Sequence, residues 1–146
     1  MINNYKKKNS GILLIEDNIA DIRIVQEILQ DYKIVINLFV VRDGVEAIDF
    51  LKKRGKYVNV QTPHLILLDL NLPKKNGFEV LKEIKEDKDL RRIPVSILTV
   101  SDAEDDLLKA YDLHANCYVI KPLEMKEFYR IFESIINFWF LTVKRP

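Results

Sequence analysis

The chain of 146 residues carries 23 Lys and Arg against 22 Asp and Glu, which leaves a formal net charge of +1. This length fits a single domain, and the near-neutral balance argues against a nucleic-acid-binding protein, which would show a basic surface. The short lysine run at residues 6–8 is interpreted as part of a flexible N-terminal tail. We therefore predict a tail over residues 1–10 and one domain over residues 11–146.

The predicted compartment is the cytoplasm. One cysteine, Cys117, cannot form an internal disulfide and lies in an apolar run, which favours an inert buried thiol. No apolar stretch approaches the roughly 18–20 residues of a membrane span. The polar N-terminus also lacks a secretory signal, so no membrane partner is expected.

Short aliphatic runs alternate with amphipathic segments along the chain. The predicted elements are, in order, strand 12–15, helix 19–31, strand 36–41, a helix after Asp43-Gly44, strand 65–68, helix 76–86, strand 95–99, a helix opened by the capping-box pattern of residues 101–104, strand 117–120 and helix 124–141. Asn18 is a plausible N-cap of the first helix, and Asp21 adds favourable charge to its first turn. A polar connection over residues 55–64 precedes the third strand.

Strict strand–helix alternation predicts an α/β fold with a parallel sheet covered by helices on both faces. The expected architecture is a flavodoxin-like (βα)5 doubly wound sheet with strand order 2-1-3-4-5. In such sheets ligands bind beyond the carboxyl ends of the strands, at the point where the strand order reverses. No output domain is visible in the sequence.

Polar side chains follow four of the predicted strands. Glu16-Asp17 follows the first strand and Asp69 the third, while Thr99 and Lys121 end or follow the fourth and fifth. The carboxylates should face one another across the crevice between the first and third strands. They would repel each other unless a hard divalent cation such as Mg²⁺ binds them. Together with a hydroxyl and an ammonium, they fit phosphoryl transfer onto a carboxylate.

These residues resemble the receiver domain of two-component response regulators over about residues 11–141. The resemblance rests on the order and spacing of residues 14–17, residues 67–73, Gly77, residues 98–99 and Lys121-Pro122. It implies that Asp69 accepts a phosphoryl group from the phosphohistidine of a histidine kinase. It further implies a phosphoacceptor switch that acts only on itself, rather than an enzyme with a separate substrate.

The resemblance also implies roles for the surrounding residues. Asp17, Asp69 and the main-chain carbonyl of Asn71 would bind Mg²⁺ or Mn²⁺, with Glu16 acting partly through water. Thr99 and Lys121 would hold the phosphoryl oxygens, as catalytic residues beside Asp69. Thr99 and Tyr118 would form the switch that changes the face made by the fourth helix, fifth strand and fifth helix. The Lys121-Pro122 peptide bond is usually cis in this family.

The sequence departs from the usual pattern of the family in two places. Val100 stands where the family usually has a small residue, which predicts slower phosphoryl exchange. The longer segment around residues 53–64, residues 112–114 and the aromatic C-terminus look like the single-domain regulators that partner phytochrome-type histidine kinases. Output would then pass to a downstream protein or a phosphotransfer protein.

The last helix carries two apolar stripes. The first is predicted to face the core and comprises Phe128, Ile131, Ile135 and Trp139; the second comprises Tyr129, Phe132, Ile136 and Phe140. A helix that is apolar on two faces is buried on both. The second stripe is therefore predicted to contact a partner or a second copy in a homodimer.

Of three alternatives to a phosphorylated receiver domain, the residues argue against the first two and leave the third open. An aspartate-nucleophile phosphatase would need a second acid where this chain has Asn71. A flavin-binding module would need a glycine- and hydroxyl-rich phosphate loop where this chain has residues 16–18. A receiver-like interaction module that signals without phosphorylation would keep the same fold.

Overall fold

The computed structural model describes residues 10–32 and 35–146. Within them, five parallel strands form one sheet in the order β2-β1-β3-β4-β5, which confirms the predicted order. The strands are β1 (Ser10–Ile15), β2 (Ile36–Val41), β3 (Leu65–Leu68), β4 (Val95–Thr99) and β5 (Cys117–Ile120). The helices are α1 (Ile19–Gln30), α2 (Gly44–Leu51), α3 (Gly77–Glu86), α4 (Glu104–Asp112) and α5 (Met125–Ile136), with a 3-10 turn at Gly55–Tyr57 and a π-helical segment at Asn137–Thr142.

The sheet is buried on both faces, which explains the uninterrupted aliphatic runs of its central strands. In β1, Leu13 and Ile15 pack into a cluster with residues of α2, α3 and α4. Ile12 and Leu14 point to the opposite side and pack with residues of α1 and α5. Alternate residues of one strand therefore supply two separate cores, so both sets must be apolar.

Asn and Asp side chains fix the start of three helices. Asn18 accepts a hydrogen bond from the main-chain N–H of Asp21 at 3.1 Å, which confirms its predicted role as N-cap of α1. Asp43 and Asn76 cap α2 and α3 in the same way. Each cap satisfies one of the N–H groups that a helix leaves unpaired at its first turn.

The predicted capping box of α4 is wrong. Ala103 occupies the N-cap position and makes no side-chain hydrogen bond to the helix. The hydroxyl of Ser101 instead donates to the carboxylate of Asp106 at 2.6 Å. Ser101 lies before the cap position, so its side chain meets the first turn of α4 rather than the N–H of Glu104.

The interface prediction for α5 is wrong for Phe132 and Ile136. Both are fully buried in the core between α1, α5 and the sheet, together with Phe128 and Ile135. Positions 128, 132, 135 and 136 share one helical face, so the core stripe is rotated from the predicted one.

The other residues of the two predicted stripes lie at the margin of this core. Tyr129 and Phe140, from the predicted interface, are partly buried and pack against the core, as do Ile131 and Trp139 from the predicted core stripe. The change to a π-helix at Asn137 also breaks the 3.6-residue period on which the predicted stripes depended. The exposed apolar stripe that argued for a homodimer is therefore absent from Met125–Ile136.

The predicted tail, residues 1–10, lies outside the described residues except for Ser10, which is the first residue of β1 and is buried. The other predicted boundaries agree with the structure to within two residues, except that α5 ends as an α-helix at Ile136. Among the described helices, none has the length and apolar character needed to cross a lipid bilayer.

Candidate functional site

The site lies at the carboxyl edge of the sheet, where the chain leaves β1 and β3. Sheet hydrogen bonding continues one residue beyond each of these strands, since Glu16 N–H donates to Val41 O at 3.0 Å and Asp69 N–H donates to Ile15 O at 3.0 Å. These bonds fix the backbone from which both carboxylates project. The two acids therefore face the same crevice, as expected where the strand order reverses.

Lys121 joins the acids of this crevice. Its ammonium lies 2.8 and 2.9 Å from the two carboxylate oxygens of Glu16 and 3.1 Å from Oδ2 of Asp69. A third acid, Asp21 of α1, accepts from the same ammonium at 2.9 Å. The side chain of Lys121 is only 4% exposed, so these carboxylates replace water around its charge.

The charged side chains of this group shift one another's pKa values. Burial raises the pKa of Glu16 above its ordinary value, and the negative charge of Asp69 adds to this, while Lys121 partly opposes it. Burial alone would lower the pKa of Lys121, but its hydrogen bonds to Glu16 and Asp21 and the charges of Glu16 and Asp69 raise the pKa overall. The ammonium thus stays charged while Glu16 binds a proton more readily than a free glutamate.

Asp17 is held apart from this group by Arg42, which follows β2. The Arg42 guanidinium donates to the Asp17 main-chain oxygen at 3.2 Å and to its carboxylate at 3.3 Å. As the side chains are placed here, no three Asp, Glu, His or Cys residues within residues 10–32 and 35–146 are grouped so that they could hold a metal ion together. Lys121 and Arg42 instead occupy the carboxylates that were predicted to bind metal.

Two glycines fix the loop that carries Asp69 and Asn71. A Cβ at Gly77 would clash with the carbonyl oxygen of Asp69 and lie 2.5 Å from the Cα of Leu70. A Cβ at Gly44 would clash with the carbonyl oxygen of Lys75 at the far end of the loop. Asn71 N–H donates to Oδ1 of Asp69 at 3.2 Å, which orients the carboxylate from within this loop.

The acids and Lys121 line an open cleft of about 280 Å³. Its lining residues are Glu16, Asp17, Asn18, Asp21, Asp69, Asn71, Val100 and Lys121. Four carboxylates therefore share the cleft with one ammonium, so it carries excess negative charge. Val100 is exposed and supplies an apolar wall beside these charged groups.

Thr99 and Tyr118 lie behind the cleft and meet at Ser101. Thr99 is fully buried, and its hydroxyl oxygen accepts from Ser101 N–H at 3.4 Å. The Tyr118 hydroxyl donates to the main-chain oxygen of Ser101 at 2.9 Å. The loop after β4 thus links the predicted switch residues to each other, and the Ser101 side chain links them to Asp106 of α4.

The structure brings together Glu16, Asp69, Asn71 and Lys121 as predicted. It places Asp17 at the same cleft but paired with Arg42, and Thr99 beneath the lining rather than in it. The Lys121-Pro122 bond is trans, in contrast to the family's usual form.

Two residues of the site were not predicted from the sequence. Asp21 was expected only to add favourable charge to the first turn of α1, and Arg42 was given no role. Asp21 could have been predicted from its position in the sequence. It lies in the first turn of the helix that follows β1, and this turn is at the same end of the sheet as the site.

Comparisons with known proteins agree with this architecture. The sequence model of the response regulator receiver domain matches residues 12–133. Response regulator Rcp1 from Synechocystis sp. is 50% identical over 135 residues, which are 92% of this chain and 92% of that protein. The crystal structure of the phosphorylated cyanobacterial phytochrome response regulator RcpA has a TM-score of 0.92 at 48% identity, covering 94% of this chain and 99% of that chain.

A second solved structure, the Mn²⁺-bound form of response regulator Rcp1, has a TM-score of 0.90 at 50% identity and covers 94% of this chain and 99% of that chain. The family model spans most of the chain, and the relatives are matched over nearly their whole lengths. The predicted resemblance is therefore confirmed. The chain belongs to the response regulator receiver domain family.

Proposed function

We propose that this chain is a phosphoacceptor of a two-component phosphorelay and that Asp69 receives the phosphoryl group from the phosphohistidine of a sensor histidine kinase. The observation that carries the proposal is the position of the Asp69 carboxylate. It lies in an open cleft, 3.1 Å from a buried ammonium and 3.2 Å from the main-chain N–H of Asn71. Similarity to a regulator that was crystallised in phosphorylated form supports the same assignment.

The transfer is a displacement at phosphorus. A carboxylate oxygen of Asp69 attacks, the bond between phosphorus and the imidazole nitrogen breaks, and its electron pair remains on that nitrogen, which then takes up a proton. Lys121 stabilises the charge of the phosphoryl oxygens, and buried Thr99 supplies a hydroxyl from the loop after β4. The reaction modifies only this chain, which makes it a switch rather than an enzyme with a separate substrate.

A divalent cation, Mg²⁺ or Mn²⁺, fits the donor chemistry of the cleft, which offers oxygen ligands and excess negative charge. Glu16, Asp17, Asp69 and the main-chain oxygen of Asn71 would hold it, with Asp17 exchanging the guanidinium of Arg42 for the metal. When bound, such an ion supplies positive charge to the phosphoryl oxygens. A related regulator has been crystallised with Mn²⁺.

The proposed switch connects the cleft to the face formed by α4, β5 and α5. A phosphoryl group adds about −1.5 to −2 charge and strong hydrogen-bond acceptors at Asp69. Thr99 moves toward it, and because Ser101 N–H bonds to Thr99 and Ser101 O to Tyr118, the position of Tyr118 and the start of α4 change with it. Amide NMR shifts in α4 and β5 that stay unchanged when the wild type is phosphorylated would contradict this part of the proposal.

Phosphorylation at Asp69 is tested by incubating the protein with acetyl phosphate and Mg²⁺ and measuring its intact mass. We expect the wild type to gain one phosphoryl group and Asp69→Asn to gain none, since the amide lacks the nucleophilic carboxylate. Removal of Mg²⁺ with EDTA should abolish the gain in the wild type. A wild type that stays unmodified under all conditions would favour the alternative of a receiver-like module that signals without phosphorylation.

Val100 is expected to slow phosphoryl exchange because its exposed side chain forms one wall of the cleft. Val100→Ala should therefore increase the rate of dephosphorylation, measured from the decay of the phosphorylated mass after the phosphodonor is removed. Val45→Ala is a matched control, because Val45 is also exposed but lies on α2 outside this cleft. Equal decay rates in Val100→Ala and the wild type would reject a role for this side chain.

The proposed kinase partner is of the phytochrome type, in keeping with similarity to RcpA, which is described as a phytochrome response regulator. Phosphotransfer profiling against a set of purified histidine kinases tests this assignment, and equal rates from unrelated kinases would contradict it. The proposed recipient of the signal is a downstream protein or a phosphotransfer protein. Self-association stays a prediction, which sedimentation with and without phosphorylation would test.

A further inference from the structure

Among the charged residues that line the cleft, Asp21 is the one for which neither the family resemblance nor the proposed chemistry provides a role. It lies in the first turn of α1, 100 positions before Lys121 in the chain, and its carboxylate accepts from the Lys121 ammonium at 2.9 Å. This distance equals those from the ammonium to Glu16 within 0.1 Å. Asp21 is therefore a full member of the charge cluster and more than a favourable charge at a helix end.

The hydrogen bonds of Lys121 show that Asp21 occupies one of the donor groups of its ammonium. An ammonium has three N–H groups, and here it has three carboxylate partners, Glu16, Asp21 and Asp69. A phosphoryl oxygen that binds to Lys121 must therefore take an N–H group that a carboxylate now holds. The ammonium has no free donor for an incoming group.

Exposure distinguishes the three partners. The side chains of Glu16 and Asp69 are 2% and 9% exposed, whereas that of Asp21 is 20% exposed. If its bond to Lys121 breaks, the more exposed carboxylate of Asp21 can be hydrated, whereas that of Glu16 would stay buried without a partner. Asp21 is thus the partner that a phosphoryl oxygen most readily displaces from Lys121, and its charge lies at the rim of the cleft.

The backbone holds Asp21 in this place independently of its side chain. Its main-chain N–H donates to Oδ1 of Asn18 at 3.1 Å, which fixes the first turn of α1. A substitution that keeps the N–H and removes the side-chain charge leaves this cap in place. The charge of Asp21 can therefore be tested separately from the start of the helix.

We propose that Asp21 is a positioning residue that holds the ammonium of Lys121 in the unphosphorylated cleft and opposes entry of the phosphoryl group at Asp69. This inference rests on the proposed function of Asp69. The negative charge of Asp21 strengthens binding of a divalent cation in the cleft and repels the phosphodonor. Removal of that charge should therefore change the two properties in opposite directions.

The test compares Asp21→Asn with the wild type in two assays. Binding of Mn²⁺ is measured by titration calorimetry, and the initial rate of phosphorylation is measured with acetyl phosphate at saturating Mg²⁺. We expect the variant to bind Mn²⁺ about fivefold more weakly and to be phosphorylated about fivefold faster, from the loss of one charge at this range. Asp21→Ala, which also removes the hydrogen-bond acceptor, should change both properties in the same directions.

Glu27→Gln serves as the matched control, because it removes a carboxylate from the exposed face of the same helix, away from the cleft lining. It should leave both properties unchanged. If Asp21→Asn and Asp21→Ala lose Mn²⁺ affinity and phosphorylation rate together, or change neither, the inference is wrong. A wild type that is never phosphorylated would contradict the proposed function of Asp69 itself, which is a different outcome from a modified wild type with unaltered variants.

Discussion

We expect Lys121→Met to lower the free energy of unfolding by about 3 kcal/mol at neutral pH, since removing one member of a buried charge group leaves the others uncompensated. The ammonium bonds to three carboxylates and is nearly inaccessible to water. Methionine fills similar space without the charge. Urea denaturation followed by circular dichroism measures the change.

The pH dependence of this variant follows from Glu16. Burial and the charge of Asp69 already raise the pKa of Glu16 in the folded protein, and Lys121 is a group that lowers it. Without Lys121 the folded state holds this proton more tightly than the unfolded chain does. The stability of Lys121→Met should therefore rise as the pH falls through the raised folded-state pKa toward the unfolded value of about 4.3.

Divalent metal should partly rescue the same variant, because it replaces the missing positive charge in the cleft. We expect Mg²⁺ to raise the melting temperature of Lys121→Met more than that of the wild type. Arg130→Met, which breaks an exposed ion pair on α5, should be nearly as stable as the wild type at every pH. Equal stability of Lys121→Met and the wild type would show that the buried cluster does not need the ammonium.

We expect Gly77→Ala to lower the free energy of unfolding by about 2–3 kcal/mol and to slow phosphorylation of Asp69, because overpacking against a fixed backbone forces it to shift. The added methyl group would clash with the carbonyl oxygen of Asp69 and contact the Cα of Leu70. Neither atom belongs to a flexible side chain. Relief of the clash must therefore shift the main chain at Asp69 and Leu70 or the start of α3, and either shift disturbs the loop that positions the Asp69 carboxylate.

Gly11→Ala provides the matched control for this substitution. Its Cβ would meet the side chain of Gln61 at 3.2 Å, and a side chain can move aside where a backbone cannot. We expect a smaller loss of stability and an unchanged rate of phosphorylation with acetyl phosphate. A Gly77→Ala protein that is as stable and as reactive as Gly11→Ala would disprove the close packing at the loop.

The strands could be predicted from the sequence because each is a short, mostly apolar run, and the three central ones, β1, β3 and β4, are buried on both faces. The runs at residues 36–41, 65–68, 95–99 and 117–120 coincide with β2, β3, β4 and β5. The strand order then follows from the fold class, and it brings the residues after β1 and β3 together. Glu16 and Asp69 could be assigned to one site on this basis, and Lys121 could be placed at the same edge of the sheet because it follows β5.

The pairing of the charges could not be predicted from the sequence, since it depends on distances between separate elements. Lys121 was expected to remain available to phosphoryl oxygens, but in the folded chain all three N–H groups of its ammonium have carboxylate partners. Arg42 likewise reaches Asp17 from the end of a neighbouring strand. In α5, the apolar residues lie on two faces, and only the packing against α1 and the sheet decides which face is the core.

The hydrogen bonds of Ser101 have a consequence for mutational studies of the switch. Its N–H and carbonyl groups make the bonds to Thr99 and Tyr118, and every residue except proline has both groups. Alanine scanning at position 101 would therefore remove only the two bonds of the hydroxyl, to Asp106 and from Ala103 N–H, and leave the connection between the two switch residues intact. A backbone-directed change, such as an amide-to-ester replacement at this position, is needed to reveal what that connection contributes.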